Sequence, residues 1–316
     1  MKKSFQKSLI AASVGAVMFA AVGTASANSL LFPYFTTVPG AQSVLSLSNT
    51  GAVPSTQVLH YVYNYGPTCI HFDANGSLTA NDVLSHSIAA PTPTAGGFGK
   101  VVGSDTSVPV YFPLNNTTGF LVVSTKTNAS TDALRGSMAI VDPTTGLVVS
   151  YAGIDNAAPT NGAAGANGEG DYSAITDVNF PLTVLPASIV GTSWFAVVVG
   201  NMGPAITAGA NWLGAGTFSN NAGGGLGTIW NNDEVPFSGT ASKPVVCQAT
   251  LQPTDLATAA QAAAVGGNGG LIKANFAPVV LSGATGVILT KVQTVLPVVG
   301  APFAGKSFLH REQAGL

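Results

Sequence analysis

The amino-acid sequence predicts an all-β protein, an antiparallel β-sandwich of the immunoglobulin-like or jelly-roll-like kind with two short helices and long Gly/Asn-rich loops. The first observation is the period-two alternation of Gln57–Tyr65, a run rich in β-branched and aromatic residues. The second is a series of short strand-like runs separated by turn residues, a spacing typical of sandwiches. The third is a content of 46% hydrophobic residues, which is enough for a large core.

The first 27 residues predict a cleaved secretory signal peptide. Met1–Lys7 is basic, Leu9–Val22 is apolar, and Ala25–Ala27 has the small residues of a cleavage site. The apolar run is shorter than the ~20 residues that a transmembrane helix needs. We therefore expect one β-rich domain over residues 28–316, without a transmembrane segment and exported to the periplasm, the outer surface or the extracellular space.

The low content of charged residues limits the kinds of partner that the chain can bind. Charged residues make up 8% of the sequence, against about 25% in ordinary soluble domains. Basic residues do not cluster, so no nucleic-acid partner is expected. Loss of the three lysines in residues 1–27 leaves a formal charge of 8 − 13 = −5. So weak a charge favours association with other copies of the chain.

Three strand-like runs follow the signal peptide. Ser43–Asn49 and Gln57–Tyr65 flank the turn residues Thr50–Pro54, which predicts an antiparallel pair. Asn28–Thr37 is apolar and contains Pro33, a residue usually confined to edge strands. Because edge strands are normally guarded by charges and this one has none, we expect it to mediate self-association. The alternative is that a neighbouring strand or the Pro91–Gly103 loop covers this edge within the same chain.

The rest of the chain alternates strands, loops and a helix. Thr79 and Asp82 resemble a capping box, which predicts a short helix over Ala80–His86. The remaining expected elements are a loop at Pro91–Gly103, strands at Val108–Leu114, Gly119–Lys126, Leu134–Val141 and Leu147–Ile154, a long loop at Asp155–Asp171, a buried strand at Thr192–Gly200, a second long loop at Met202–Pro244, a strand at Val245–Cys247, an Ala-rich helix between Thr254 and Gly266, and strands at Gly286–Leu296 and Phe303–His310.

Two cysteines, Cys69 and Cys247, are expected to form a disulfide, because an even count in an exported protein indicates bridging. The alternative is a pair of buried free thiols. The bridge would close a loop of 247 − 69 = 178 residues.

No metal site is expected, and one histidine-containing segment is the alternative. His71, Asp73 and His86 would converge if the expected helix folded back on the preceding strand, although their spacing matches no known ligand pattern. His60, beside valines on its strand, is expected to be a sheet histidine. No nucleotide-binding, nucleophile-elbow or zinc-protease motif is present, so the sequence predicts neither a cofactor nor a catalytic residue.

The stretch from Trp212 to Glu234 is a candidate ligand-binding loop. It contains Trp212, Trp230 and the adjacent acids Asp233 and Glu234, residue types suited to a sugar cleft. The alternative, favoured for the acids, is that they are solvated loop residues and that the tryptophans cover the core beneath the loop. Neighbours on an extended segment point in opposite directions, so the two acids cannot by themselves form a glycosidase pair.

Three functional hypotheses remain open. The leading one, favoured by the export signal, the strand content, the low charge and the missing catalytic motifs, is a non-catalytic structural protein of the cell surface or extracellular space that acts through self-association or surface contact. The second is a secreted module that binds surface carbohydrate through the 212–234 loop. The third is a secreted hydrolase whose site the sequence does not reveal. Fold class cannot separate these hypotheses.

Overall fold

A computed structural model describes residues 29–38, 41–50, 56–88, 116–125, 134–142, 147–156, 170–208, 210–220, 228–295, 307–312 and 314. The expected signal peptide, the loop at 91–103 and the strand at 108–114 lie outside these residues, as does most of the loop at 155–171. In the first half the strands are β1 (Ser29–Thr36), β2 (Gln42–Asn49), β3 (Gln57–Tyr65), β4 (Ile70–Leu78), β5 (Val83–Ser87), β6 (Thr118–Thr125), β7 (Leu134–Asp142), β8 (Leu147–Ala152) and β9 (Ile154–Asp155).

The second half adds ten more strands and the two helices. These elements are β10 (Asn179–Val184), β11 (Val190–Gly200), α1 (Gly203–Ala208), β12 (Ala215–Ser219), β13 (Ile229–Asn231), β14 (Pro236–Phe237), β15 (Ser242–Val246), β16 (Gln248–Leu251), α2 (Ala259–Asn268), β17 (Gly270–Pro278), β18 (Ala284–Val295) and β19 (Ser307–Arg311). Short 3-10 turns occupy Pro253–Asp255 and Val280–Ser282. The predicted all-β class with antiparallel sheets and two short helices is confirmed.

The strands form three sheets. A four-stranded sheet, β5-β2-β7-β8, faces a five-stranded sheet, β4-β3-β6-β1-β9, across a first core. The remaining ten strands form a third sheet around a second core. A junction core lies between the five-stranded and ten-stranded sheets, and it includes Leu31, Val62, Phe120, Val122, Tyr172, Phe195, Val197 and Ile288. The five-stranded sheet is therefore the central layer.

Alternation along the central strands explains why both faces of this sheet are covered. In β3, Tyr61 and Tyr63 point into the first core, and Val62 between them points into the junction core. In β6, Leu121 belongs to the first core and Val122 to the junction core. Successive side chains of a strand lie on opposite faces, so a strand that is apolar at every position is buried on both sides.

The expected pairing of β2 with β3 is wrong. β2 pairs with β5 and β7 in the outer sheet, and β3 pairs with β4 and β6 in the central sheet. The physical reason lies in their patterns: serines alternate with leucines in β2, so one face suffices to bury its apolar residues. β3 is almost wholly buried and requires a layer covered on both faces.

The expected edge position of the N-terminal strand is also wrong. β1 lies between β6 and β9, and its side chains are buried along nearly the whole strand. Pro33 is accommodated because the register of β1 against β6 shifts between Phe32 and Phe35. A proline lacks an N–H, and a bulge is the other place besides an edge where a sheet tolerates it.

Local signals succeeded for one helix and failed for the other. The segment predicted as helix over Ala80–His86 contains strand β5, because Thr79 and Asp82 close a turn in which the Thr79 N–H and Oγ1 both bond to Asp82 Oδ2. The Ala-rich helix is confirmed as α2. It begins after Thr258, whose N–H donates to Gln261 Oε1 at 2.7 Å, and Gly269 follows its last residue with φ +80°.

The second half of the chain and the turn after β7 bear on several other expectations. The hairpin around residue 142 is confirmed by the pairing of β7 with β8, and the buried strand near Trp194 is confirmed as β11. The expected loop over Met202–Pro244 instead carries α1, β12, β13 and β14. Among the described residues, no helix combines the length and apolar character that a membrane crossing requires.

Candidate functional site

The main candidate site is a groove of about 600 Å³ on the ten-stranded sheet. It lies where the end of β10, strand β13, the C-terminal end of α2 and the start of β17 meet. One side is lined by the aromatic residue Trp230 and by the polar residues Asn231, Asn232, Glu234 and Asn268. These residues come from segments almost forty positions apart, which β17 brings together by pairing with both β10 and β13.

A tight turn places Glu234 at the groove. Asn231 Oδ1 accepts hydrogen bonds from the N–H groups of Asp233 at 3.1 Å and Val235 at 2.9 Å, as asparagine often does in turns. Glu234 adopts a left-handed conformation, φ +60°, to complete the turn. The sequence pair Asp233–Glu234 is thereby divided between two roles, because only Glu234 lines the groove.

Asp233 stabilises the turn from behind. Its Oδ2 accepts hydrogen bonds from Asn268 Nδ2 at 2.9 Å and from Asn231 Nδ2 at 3.3 Å. The carboxylate thus joins the 231–235 turn to the last residue of α2. Within the part of the chain that the structure describes, the side-chain amide of Asn232 has no hydrogen-bond partner, which leaves it available to a ligand.

Trp230 supplies an aromatic wall. It is half-buried on β13 and pairs with Leu271 of β17, which lines the same groove. Lys273 Nζ lies 4.8 Å from the centre of the indole ring, a cation–π distance. The lysine covers one face of the ring and holds it in position.

The opposite wall of the groove is built on the end of β10. Thr183, Leu185 and Pro186 line it, and Leu185 is 44% exposed. Thr183 Oγ1 accepts a hydrogen bond of 2.7 Å from Nζ of Lys291, a lysine that is only 2% exposed. Lys291 Nζ also lies 3.5 Å from Glu312 Oε1. Burial lowers the pKa of Lys291, and the charge of Glu312 opposes this shift.

Trp212 does not share the groove with Trp230. It is 7% exposed in the junction core, where its Nε1–H donates to the Val198 carbonyl at 2.8 Å and its ring packs against Gly214. The candidate ligand residues therefore separate: Trp230 and Glu234 line the groove, Asp233 supports it, and Trp212 is a core residue.

The candidate metal residues are only partly brought together. His71 Nε2 lies 3.2 Å from Asp73 Oδ2 on β4, and His60 Nε2 on β3 lies 3.4 Å from Asp73 Oδ1. His71 Nδ1 also contacts Asn211 Oδ1. His86 is on β5, which belongs to the other sheet of the first sandwich. No group of three or more histidine, cysteine or acidic side chains suited to a metal ion occurs among the described residues.

Cys69 and Cys247 form the expected disulfide, with their Cα atoms 6.1 Å apart. Cys69 ends the turn between β3 and β4, and Cys247 separates β15 from β16. Gln248 Nε2 donates to the Gly66 carbonyl at 3.0 Å beside the bridge. The bridge therefore fastens one turn of the central sheet to one corner of the ten-stranded sheet.

Exposed apolar side chains cluster near this bridge. Leu281 is 100% exposed and Val280 is 84% exposed in the 3-10 turn before β18. The Val279 N–H bonds to the Ala215 carbonyl, and Ala215 pairs with the exposed Val246. We call this set the apolar patch, and with neighbouring exposed side chains it comprises Ile70, Leu213, Val246, Val279, Val280 and Leu281.

Sequence reasoning found Trp230 and Glu234 but missed Thr183, Asn268 and Lys291. These three lie on segments that only the tertiary pairing of β10, α2, β17 and β18 brings together, so no local pattern marks them. Neither the family models nor the curated proteins that were compared with this chain include a match.

Proposed function

We propose that the chain is an exported, non-catalytic protein that binds carbohydrate in the Trp230 groove. The observation that carries the proposal is the convergence of an indole ring, the Glu234 carboxylate and asparagine amides around one concave surface. Ligand sites combine an apolar wall with a few placed polar groups, and a sugar presents both C–H faces and hydroxyl groups. Export rests on the basic and apolar pattern of residues 1–27.

The carboxylates of the groove favour binding over hydrolysis. Among the described lining residues, Glu234 is the single acid, and Asp233 is engaged by Asn231 and Asn268. Glycosidases use two carboxyl groups that face each other across the sugar. The groove therefore supports recognition rather than cleavage of a glycosidic bond.

Trp230→Ala tests this function. Loss of the aromatic wall is expected to weaken glycan binding about tenfold or more, because tryptophans at the centre of a contact often carry over 1.4 kcal/mol. The measurement is a glycan array followed by calorimetry on the mature protein.

Leu281→Ser is the matched control, since Leu281 is fully exposed and does not line the groove. Its glycan affinity should equal that of the parent. If the parent binds no glycan on the array, or if both variants bind equally well, carbohydrate recognition in this groove is refuted.

We propose self-association through the apolar patch as a second candidate function, with a second copy of the chain as the occupant. Exposed apolar residues that lie close together mark interaction surfaces, and Val280 and Leu281 are almost wholly exposed. The chain carries 8% charged residues, so copies repel one another weakly. The patch replaces strand β1 as the expected contact, because β1 lies inside the central sheet.

Sedimentation velocity on the mature protein tests this contact. The parent should form dimers or larger species, and the double variant Val280→Ser/Leu281→Ser should be a monomer. Trp230→Ala is the control and should associate like the parent. A parent that stays monomeric at high concentration removes this candidate without affecting the groove.

A further inference from the structure

We infer that the groove selects an N-acetylated sugar, an inference that rests on the proposed carbohydrate binding. Its basis is one segment, Thr183–Pro186, which places a hydroxyl donor beside an apolar wall. An acetamido group has the complementary form, with a carbonyl acceptor and a methyl group two bonds apart. No other part of the groove combines these features among the residues that the structure describes.

The buried lysine makes Thr183 a donor. A lysine ammonium only donates, so the 2.7 Å bond from Lys291 Nζ occupies a lone pair of Thr183 Oγ1. The hydroxyl hydrogen of Thr183 remains to be donated, and Thr183 itself is exposed at the groove. A charged donor behind a hydroxyl also strengthens the bond that the hydroxyl donates.

Lys291 is held in place on its other side. Glu312 Oε1 lies 3.5 Å from its ammonium and accepts a 3.0 Å bond from Trp194 Nε1. Since Lys291 is 2% exposed, water does not compete for Thr183 from behind. We assign Lys291 as a positioning residue, which acts on the ligand through Thr183.

Leu185 and Pro186 form an apolar surface against which the acetyl methyl group can be buried. Leu185 is 44% exposed, so a ligand can cover it. Burying one methyl group strengthens binding by about fourfold. At the opposite side, the Glu234 carboxylate disfavours uronic acids and other anionic sugars. The ring of the sugar would then lie between Trp230 and the asparagine side chains.

The test compares three trisaccharides by calorimetry with the mature protein. The probes are triacetylchitotriose, cellotriose and trigalacturonate. We expect triacetylchitotriose to bind about tenfold more tightly than cellotriose, from one hydrogen bond and one methyl contact, and trigalacturonate to bind least.

Thr183→Val removes the hydroxyl and keeps the shape. It should reduce the preference for triacetylchitotriose over cellotriose from about tenfold to the roughly fourfold that the methyl contact supplies, and leave cellotriose binding unchanged. Thr183→Ser retains the hydroxyl and should preserve the preference. Thr183→Val takes one acceptor from the buried Lys291 ammonium, so its melting temperature should fall somewhat, whereas that of Thr183→Ser should not. Unchanged cellotriose affinity would show that both variants keep the folded groove.

The outcomes separate the inference from the function on which it rests. If cellotriose binds as tightly as triacetylchitotriose, the acetamido assignment is overturned while carbohydrate binding stands. If Thr183→Val keeps the full preference, the role of Thr183 is overturned. If none of the probes nor any array glycan binds, both proposals fail together.

Discussion

Side chains alternate between the two faces in both the central sheet and the ten-stranded sheet, but the result differs between the two sheets. In β6 of the central sheet, Leu121 and Val122 are both fully buried, each in a different core. In β17 of the ten-stranded sheet, Ile272 is buried and its neighbour Leu271 lines the groove. The central sheet, covered on both faces, provides a framework, whereas the β17 part of the ten-stranded sheet has one uncovered face with positions left over for a ligand.

The disulfide allows the strongest test of how these two sheets depend on each other. The double variant Cys69→Ala/Cys247→Ala should lose about 5 kcal/mol of unfolding free energy on the chain-entropy estimate for so long a loop. Urea denaturation of parent and variant measures the loss. A reducing agent should destabilise the parent to a similar degree and leave the variant unchanged.

The double variant could instead lose stability only in the ten-stranded sheet, while the first sandwich still melts as in the parent. That result would contradict the description of two sheets that depend on each other. The two sheets would then be independent units rather than layers around the junction core. The prediction of one domain over residues 28–316 would fail with it.

Alanine substitutions at neighbouring positions sharpen the contrast. Leu121→Ala should cost about 2–5 kcal/mol and Val122→Ala about 2 kcal/mol, because both leave cavities in closed cores. In β17, Ile272→Ala should cost about 2–5 kcal/mol, and Leu271→Ala less than about 1 kcal/mol.

Leu121 and Leu271 form the matched pair of this series, since the same atoms are deleted from each. Urea unfolding of the four variants gives the values. Equal costs at Leu121 and Leu271 would contradict the description of one framework sheet and one half-covered sheet.

Alkaline pH should act on the central sheet through its buried tyrosines. Burial raises the pKa of Tyr63 well above the ordinary 10.0, and the nearby Tyr61 raises it further. The folded state keeps this proton while the unfolded state loses it above pH 10, so stability falls as pH rises past that value. The fall is at most about 1.4 kcal/mol per pH unit for each such group.

Tyr63→Phe should therefore flatten the decline of unfolding free energy between pH 10 and pH 11. The half-buried Tyr65 serves as the control, and Tyr65→Phe should change the slope less. Identical slopes for Tyr63→Phe and the parent would show that the buried hydroxyl of the central sheet does not govern alkaline stability.

Local patterns predicted most of the elements but not how they assemble. Four features could be predicted because each depends on neighbouring residues or on a count. They are the alternation of β3, the turn after β7, the Ala-rich helix and the cysteine pair. Whether β2 joins the inner or the outer sheet depends on which strands compete for it. The helix expected over Ala80–His86 failed because pairing with β2 outweighed a local capping signal.

The sequence predicted only some of the groove residues, for the same reason. The indole and the carboxylate lie close together in the sequence, so a local reading found Trp230 and Glu234. Their partners arrive from β10 and from the end of α2, and the depth at which Trp212 is buried depends on packing around Gly214. Convergence of distant segments leaves no trace in a single sequence.

The junction core also fixes an order of events during synthesis. Its early members, Leu31, Val62 and Val122, are synthesised well before Phe195 and Ile288, which cover them. A nascent chain with its first sandwich already formed would present one apolar face to its surroundings for the time needed to make more than a hundred further residues. That interval is when a chaperone is most needed, and it ends only when β18 is complete.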